Sequence, residues 1–397
     1  MKFLRRKLAN GITVIMEKRE LPIVALSISN PFGGACESSE AKGVAHFIEH
    51  LAFTGTKNRT SEEISREVEQ KGGVLNAFTA DEATSFWFKL PNEHVFSGLD
   101  ILIDILKNPI FPEKKFEKEK KVILEEIKMY NDDPRAAALK KVVGNLYEKP
   151  FGTGIIGTKE SVSSLKRKFI AGLFGKVYNP ENFVVTIVGN ADFEKICSYL
   201  EENFGKKGKE KPKILKIKKK NAESVEEREG IDQAHFIFAL HTPALGSSDF
   251  YAFEVLNSYL AGGASSRLFL EIREKRGLAY TIKSEVSAEK DYSYCVIYVG
   301  TMKENVDRVK KIILKEFENV KNMTEKELEK IKEKLIGLRK ISAEESENVM
   351  NELMIYEMNG SAEEYYRYED KIKSVKLEDV KRLAKIKNYS TAAIVPK

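Results

Sequence analysis

The period of the hydrophobic pattern changes along the chain, and each change marks an element. Through 113–131 the apolar residues Phe116, Val122, Ile123, Ile127 and Tyr130 recur at helical spacing, with Pro112 ahead of the run and Asp133-Pro134 behind it. Further long helices are expected at 92–107, 303–320 and 324–345, and β-prone runs predict strands at 3–8, 11–18, 23–30, 182–188, 234–242, 278–287 and 292–299. Gly72-Gly73 breaks a charged helix end, after which 73–90 reads as a strand pair running through Phe86-Trp87-Phe88. Strands in pairs and helices in runs argue for an α+β fold, each sheet mostly antiparallel and packed against helices.

The pattern occurs twice. Residues 65–78 echo 270–282, each a charged helix end, a glycine and an extended run. A period of about 200 residues suggests duplicated domains, not a solenoid. With 397 residues, the chain is long for one core and natural for two domains. The expected division is 1–208 and 230–397, joined by a linker at 209–229. Lysines 206, 207, 209, 211, 213, 216 and 218–220 crowd the join, and a glutamate-rich run follows. Such a run could touch nucleic acid, but no aromatics interleave and the net charge is only +6, so a solvated linker is the better reading.

Between the first strands and the repeat lies Ala45-His46-Phe47-Ile48-Glu49-His50-Leu51-Ala52-Phe53, apolar and polar at helical period. At about 100° per residue, His46 and His50 project to one side of a helix one turn apart, so their ring nitrogens can converge on one ion. Neutral imidazoles with a carboxylate suit Zn²⁺, which keeps an open position for water and lowers its pKa to about 7. Glu49, beside them, can take that water's proton and pass it to a leaving amine. A third ligand must come from elsewhere. The 113–132 helix offers Glu119 and Glu126, seven apart on one face, although spacing alone does not choose between Glu125 and Glu126. The second copy has Phe253-Glu254-Val255-Leu256-Asn257 where the first has its histidines, and it cannot bind zinc in that way.

His46-x-x-Glu49-His50, followed after 75 intervening residues by the second glutamate of Leu124-Glu125-Glu126, resembles the pitrilysin or M16 family of inverted-motif zinc peptidases. The resemblance implies one Zn²⁺ per chain held by His46, His50 and Glu126, with Glu119 as a supporting acid and Glu49 as general base. Residues 72–79 are similar to the family's edge strand, which takes a peptide as an added strand, here at Asn76 and Ala77. Residues 265–280 are similar to its second signature, in which Arg273 would hold substrate backbone and Tyr280 would stabilise the oxyanion. In the family four such domains enclose a chamber like a clamshell. Both signatures in one short chain imply a homodimer, each site using Arg273 and Tyr280 of the other protomer, with 205–229 as a hinge. The alternatives are a catalytic subunit needing an unlike partner, or a peptide-binding scaffold subunit of the same fold.

Composition adds context. The basic start 1–10 has no apolar stretch of signal length after it, and no 18-residue apolar run occurs, so a cytoplasmic protein with no membrane partner is expected. Cysteines 36, 197 and 295 form no metal or redox spacing and suit a reducing compartment. Glutamine occurs only at 70 and 233 against abundant Lys and Glu, a balance found in hyperthermophile proteins, and a thermophilic source is expected. Gly262-Gly263-Ala264-Ser265-Ser266 lacks the lysine of a phosphate loop and reads as a turn before a helix.

Overall fold

A computed structural model describes residues 2–205, 208 and 210–397 of the chain; Lys206, Lys207 and Lys209 of the expected linker region lie outside the described residues. The N-terminal part forms β1 (Lys2–Lys7), β2 (Thr13–Lys18), β3 (Ile23–Asn30), α1 (Val44–Ala52), α2 (Ser61–Glu69), β4 (Val74–Thr79), β5 (Thr84–Pro91), α3 (Val95–Lys107), α4 (Glu113–Asp132), α5 (Pro134–Leu146), α6 (Lys159–Ser164), α7 (Arg167–Val177), β6 (Val184–Gly189) and α8 (Phe193–Asn203). After it come β7 (Glu223–Arg228), β8 (Ala234–His241), α9 (Phe250–Ala261), a π-helical turn at Phe269–Glu274, β9 (Ala279–Ala288), β10 (Ser293–Thr301), α10 (Val306–Asn319), α11 (Glu325–Ser342), α12 (Ser346–Met358), α13 (Tyr368–Ser374), α14 (Leu377–Leu383) and β11 (Ser390–Pro396).

The contacts group these elements into two compact units, and the units interleave along the chain. The first comprises the described residues of Met1–Ile127, Gly154–Lys216 and Ser342–Tyr365. Its sheet runs β1-β2-β6-β3-β5-β4, all antiparallel neighbours except the parallel β2–β6 pair. Alternation sorts the strands' side chains onto two faces. Val14, Met16, Val24, Leu26, Ile28, Phe86, Phe88 and Leu90 join the main core under the helices. Ile15, Ala25, Trp87 and Val188 form the opposite face, which is covered by Val349, Met350 and Leu353 of α12. A sheet covered on both sides explains why the central strands are almost continuously apolar.

The second unit comprises Lys128–Thr153, Ile217–Ile341 and Tyr366–Lys397, with strand order β7-β11-β8-β10-β9. From β2 onward the first sheet matches this order strand for strand, including the parallel pair β7–β11. Phe236, Phe238, Leu240, Cys295, Ile297 and Val299 point into its core. The other face receives α5, which packs across β11, β8 and β7 with Ala137, Ala138, Val142 and Leu146 buried.

Two expectations therefore need correction. The compact units are not the contiguous stretches 1–208 and 230–397, because α5 is packed on the second sheet and α12 on the first; each sheet needs both faces covered, and sequence order does not say which helix covers them. Nor is 209–229 solvated coil throughout. Glu223–Arg228 forms β7, whose exposed side and charged composition hide a strand that exists because β11 pairs with it. The strand β11 was equally unmarked. Among the described residues, no helix is long and apolar enough to cross a membrane.

Candidate metal centre

Helix α1 starts where Gly43 adopts φ +94°, in the left-handed region; a Cβ there would stand 2.7 Å from the Ile156 carbonyl oxygen, so only glycine fits without movement. The first turn's amides are satisfied by a side chain from outside the helix. Glu37 accepts from Gly43 N–H at 3.1 Å and Ala45 N–H at 2.7 Å, and its carboxylate pairs with the Lys42 ammonium at 3.3 Å. Lys42 also donates to the Gly34 carbonyl at 2.6 Å, and both side chains are buried. Burial pushes the Glu37 carboxyl up to about 7, opposed by Lys42 and the two amides.

From that anchor, Val44, Ala45, Phe47, Ile48, Leu51 and Ala52 turn into the core and leave His46, Glu49 and His50 half-buried on the remaining face. Phe47 stacks on Phe116 of α4, ring centroids 5.0 Å apart, which fixes α4 beside α1. On α4 the buried residues are Phe116, Ile123 and Ile127. Glu119 and Glu126 each follow one of these by three residues and so stay on the side facing α1, while Glu125 is turned to solvent. The choice between Glu125 and Glu126 that spacing left open is made here by which face of α4 the core claims.

One donor atom from each of His46, His50 and Glu126 lies within 4.8 Å of the others. Glu126 Oε2 stands 3.9 Å from His46 Nε2 and 3.6 Å from His50 Nε2. Four-coordinate zinc with bonds of about 2.0–2.2 Å holds its donors about 3.4 Å apart, and Glu126 Oε2 already stands within about half an ångström of that spacing from each histidine. Two imidazoles and one carboxylate also suit zinc better than the oxygen-seeking Ca²⁺ or Mg²⁺. His50 Nδ1 lies 3.3 Å from Glu119 Oε2, a bond that places the ring proton there and leaves Nε2 as the lone-pair donor. His46 Nδ1 is buried with no hydrogen-bond partner among the described residues. Burial first, and then His50, push the His46 imidazole down to about 4, which keeps it neutral and able to ligate.

Glu49 lies on the same face. Its carboxyl is pushed up by burial and by the charge of Glu126, while a 2.5 Å hydrogen bond from the Thr79 hydroxyl and the nearby His50 act the other way. Thr79 ends β4, an edge strand hydrogen-bonded to β5 alone, with Asn76 opposite Trp87 and Ala77 opposite Phe86. Asn76 Oδ1 accepts from its neighbour Ala77 N–H at 2.8 Å. Arg273 and Tyr280 form a pair of their own in the second unit: the guanidinium sits 5.0 Å from the ring centre of the strongly exposed Tyr280 and 4.9 Å from that of Phe269. Sequence reasoning missed the roles of Glu37, Lys42 and Thr79, whose partners are set by the fold and follow no local period.

Comparison with known proteins finds relatives along the whole chain. The profile described as Insulinase (Peptidase family M16) matches residues 13–159, and that of the Peptidase M16 inactive domain matches 164–335. The uncharacterized zinc protease YmxG of Bacillus subtilis is 31% identical, the match covering 98% of this chain and 97% of that one. An uncharacterized zinc protease of Rickettsia felis is 34% identical over 81% of this chain and 78% of its own length. Among solved structures, a protease from Helicobacter pylori superposes with a TM-score of 0.92 at 22% identity, all of both chains being covered. A peptidase M16 inactive domain from Pseudomonas fluorescens gives 0.87 at 18% identity over 100% of this chain and 98% of that one, and the two together establish a shared fold. Profiles for both halves and near end-to-end relatives named for zinc and proteolysis lead to one conclusion: this chain belongs to peptidase family M16.

Proposed function

We propose that this chain is a zinc-dependent endopeptidase acting on peptides or unfolded segments. The observation that carries the reading is the cluster of His46, His50 and Glu126 donors with Glu49 on the same helical face. Zn²⁺ held by these three residues would acidify a water in its open position and polarise the scissile carbonyl. Glu49 accepts that water's proton and returns it to the leaving amine, and its half-buried setting suits a carboxylate that must hold a proton between the two steps. Glu119 fixes the His50 ring. The free edge of β4 offers main-chain groups to an extended peptide at Asn76 and Ala77, which gives affinity without reading most side chains.

In a homodimer with two equivalent sites, one Zn²⁺ per chain, each peptide would also meet the partner subunit's Arg273 and the partner subunit's Tyr280. A guanidinium and an exposed phenol can both donate hydrogen bonds, the first to substrate backbone and the second to the developing oxyanion. A chamber closed around the peptide would admit unfolded segments and exclude folded proteins.

The test is cleavage of a quenched peptide of about ten residues by the purified chain and by Glu49→Gln, with bound zinc quantified in both. Wild-type cleavage, together with a zinc-loaded variant slowed about 10²–10⁴-fold, is the expected result. A chain that binds zinc yet cleaves none of a varied peptide set would sink the reading in favour of a subunit needing an unlike partner or a binding role.

A further inference from the structure

Thr79 stands between the two parts of the proposed site. It is the last residue of β4, and its Oγ1 donates to Glu49 Oε2 at 2.5 Å. The terminal torsion of a glutamate is broad and nearly two-fold, so an unrestrained carboxylate turns its oxygens over freely. A hydroxyl held on one oxygen ends that freedom and makes the two oxygens different.

The hydroxyl is itself rigidly placed. Thr79 pairs with Thr84 in the β4–β5 ladder, and Ala80 N–H closes the turn onto Ala83 at 2.7 Å. The carbonyls that follow are taken up as well, Ala80 by Gly34 N–H at 3.1 Å and Asp81 by Ala35 N–H at 2.7 Å. Gly34 is in turn gripped by Lys42, the partner of the Glu37 that anchors α1. The end of the edge strand and the start of the helix bearing Glu49 are thus tied to one short segment, and the Thr79 hydroxyl joins them a second time at the carboxylate.

We propose that Thr79 is a positioning residue for Glu49, holding Oε2 so that Oε1 is the oxygen that exchanges the proton with water and leaving amine. This rests on the reading of Glu49 as general base. The threonine touches neither zinc ligands nor substrate side chains in that role, so its loss lowers kcat and leaves metal and KM in place.

The experiment measures kcat, KM and bound zinc for wild type, Thr79→Val, Thr79→Ala, Thr79→Ser and Glu49→Gln on one quenched peptide. Valine keeps the shape and removes the donor; alanine serves if valine does not fold. The expected result is full zinc and near-wild-type KM in the valine variant, with kcat lowered about ten- to a hundredfold, the worth of one charge-assisted bond. Serine, which restores the hydroxyl, returns kcat to within about threefold of wild type. A valine variant with wild-type kcat beside an inactive Glu49→Gln overturns the proposal while leaving the base in place. Loss confined to KM overturns it too, since Thr79 would then serve the strand and not the carboxylate. If Glu49→Gln stays active, the underlying reading fails and this proposal fails with it.

Discussion

Helices α1 and α9 occupy corresponding places in two sheets of matching strand order, yet of the two only α1 presents a pair of imidazoles and a carboxylate on one face. Both follow the strand at the middle of their sheet, β3 in one case and β8 in the other. Along α1, every third or fourth position is withheld from the core and given to His46, Glu49 and His50. On α9, Phe250, Tyr251, Ala252, Phe253, Val255 and Leu256 are all buried, with the carboxyl of Glu254 among them. A buried glutamate pushed up to about 7 by desolvation accompanies each helix. Glu37, outside α1, is held by Lys42 and two amides; Glu254, within α9, is held by a hydrogen bond from Tyr368 and by the charge of Arg339. The difference teaches that the frame does not depend on the chemistry. A metal face is a few polar positions that the core of one unit does not claim, and a matching frame survives when the core claims them.

The sharpest way to break the comparison is to make α1 resemble α9. His50→Leu removes one imidazole and the contact to Glu119, and the variant is expected to lose bound zinc and all peptide cleavage while keeping its fold. Zinc quantification and circular dichroism check both parts, and unfolding of the variant would mean that α1 depends on its metal face. A smaller effect is expected at the anchor. Lys42→Met leaves Glu37 buried without its cation, which costs about 3–5 kcal/mol, whereas the Glu37→Gln/Lys42→Met pair recovers most of that in chemical denaturation. A single variant as stable as wild type would show that the two backbone amides alone hold Glu37.

The smallest effect lies in α9. Because folding raises the Glu254 pKa above its ordinary 4.5 to about 7, the native state binds that proton more tightly than the unfolded chain does. Its contribution to stability is therefore complete below about 4.5 and is lost as pH rises through about 7. Glu254→Gln has no such loss, and its melting temperature should gain on wild type by a few °C between pH 4.5 and 8. Parallel pH curves for the two would mean that Glu254 keeps an ordinary pKa in place.

Much of this was legible along the chain because it depends on period. The expected strand 23–30 is β3 as found, and the 113–131 helix differs from α4 by one residue. Helix α3 starts later than expected because 92–94 form a 3-10 turn, and α11 ends three residues short of 345. The facing of His46 and His50 needs only a spacing of four on one helix. By contrast β7 gave no signal, since its alternation runs through Glu, Ser and Arg and its pairing with β11 spans most of the second half.

The sequence by itself determined where most of the long helices and the apolar strands arise, that the halves repeat, and that only the first copy presents two imidazoles and a carboxylate on one helical turn. These are local matters, decided within a few residues by backbone period and side-chain chemistry. Only the tertiary structure decided that Glu126 and not Glu125 faces the histidines, that α5 and α12 each cover the sheet of the other half, that Glu37 and Lys42 anchor α1, and that Thr79 reaches Glu49. Those contacts join residues far apart in sequence. They follow from which faces must be buried together, a condition that no local pattern contains.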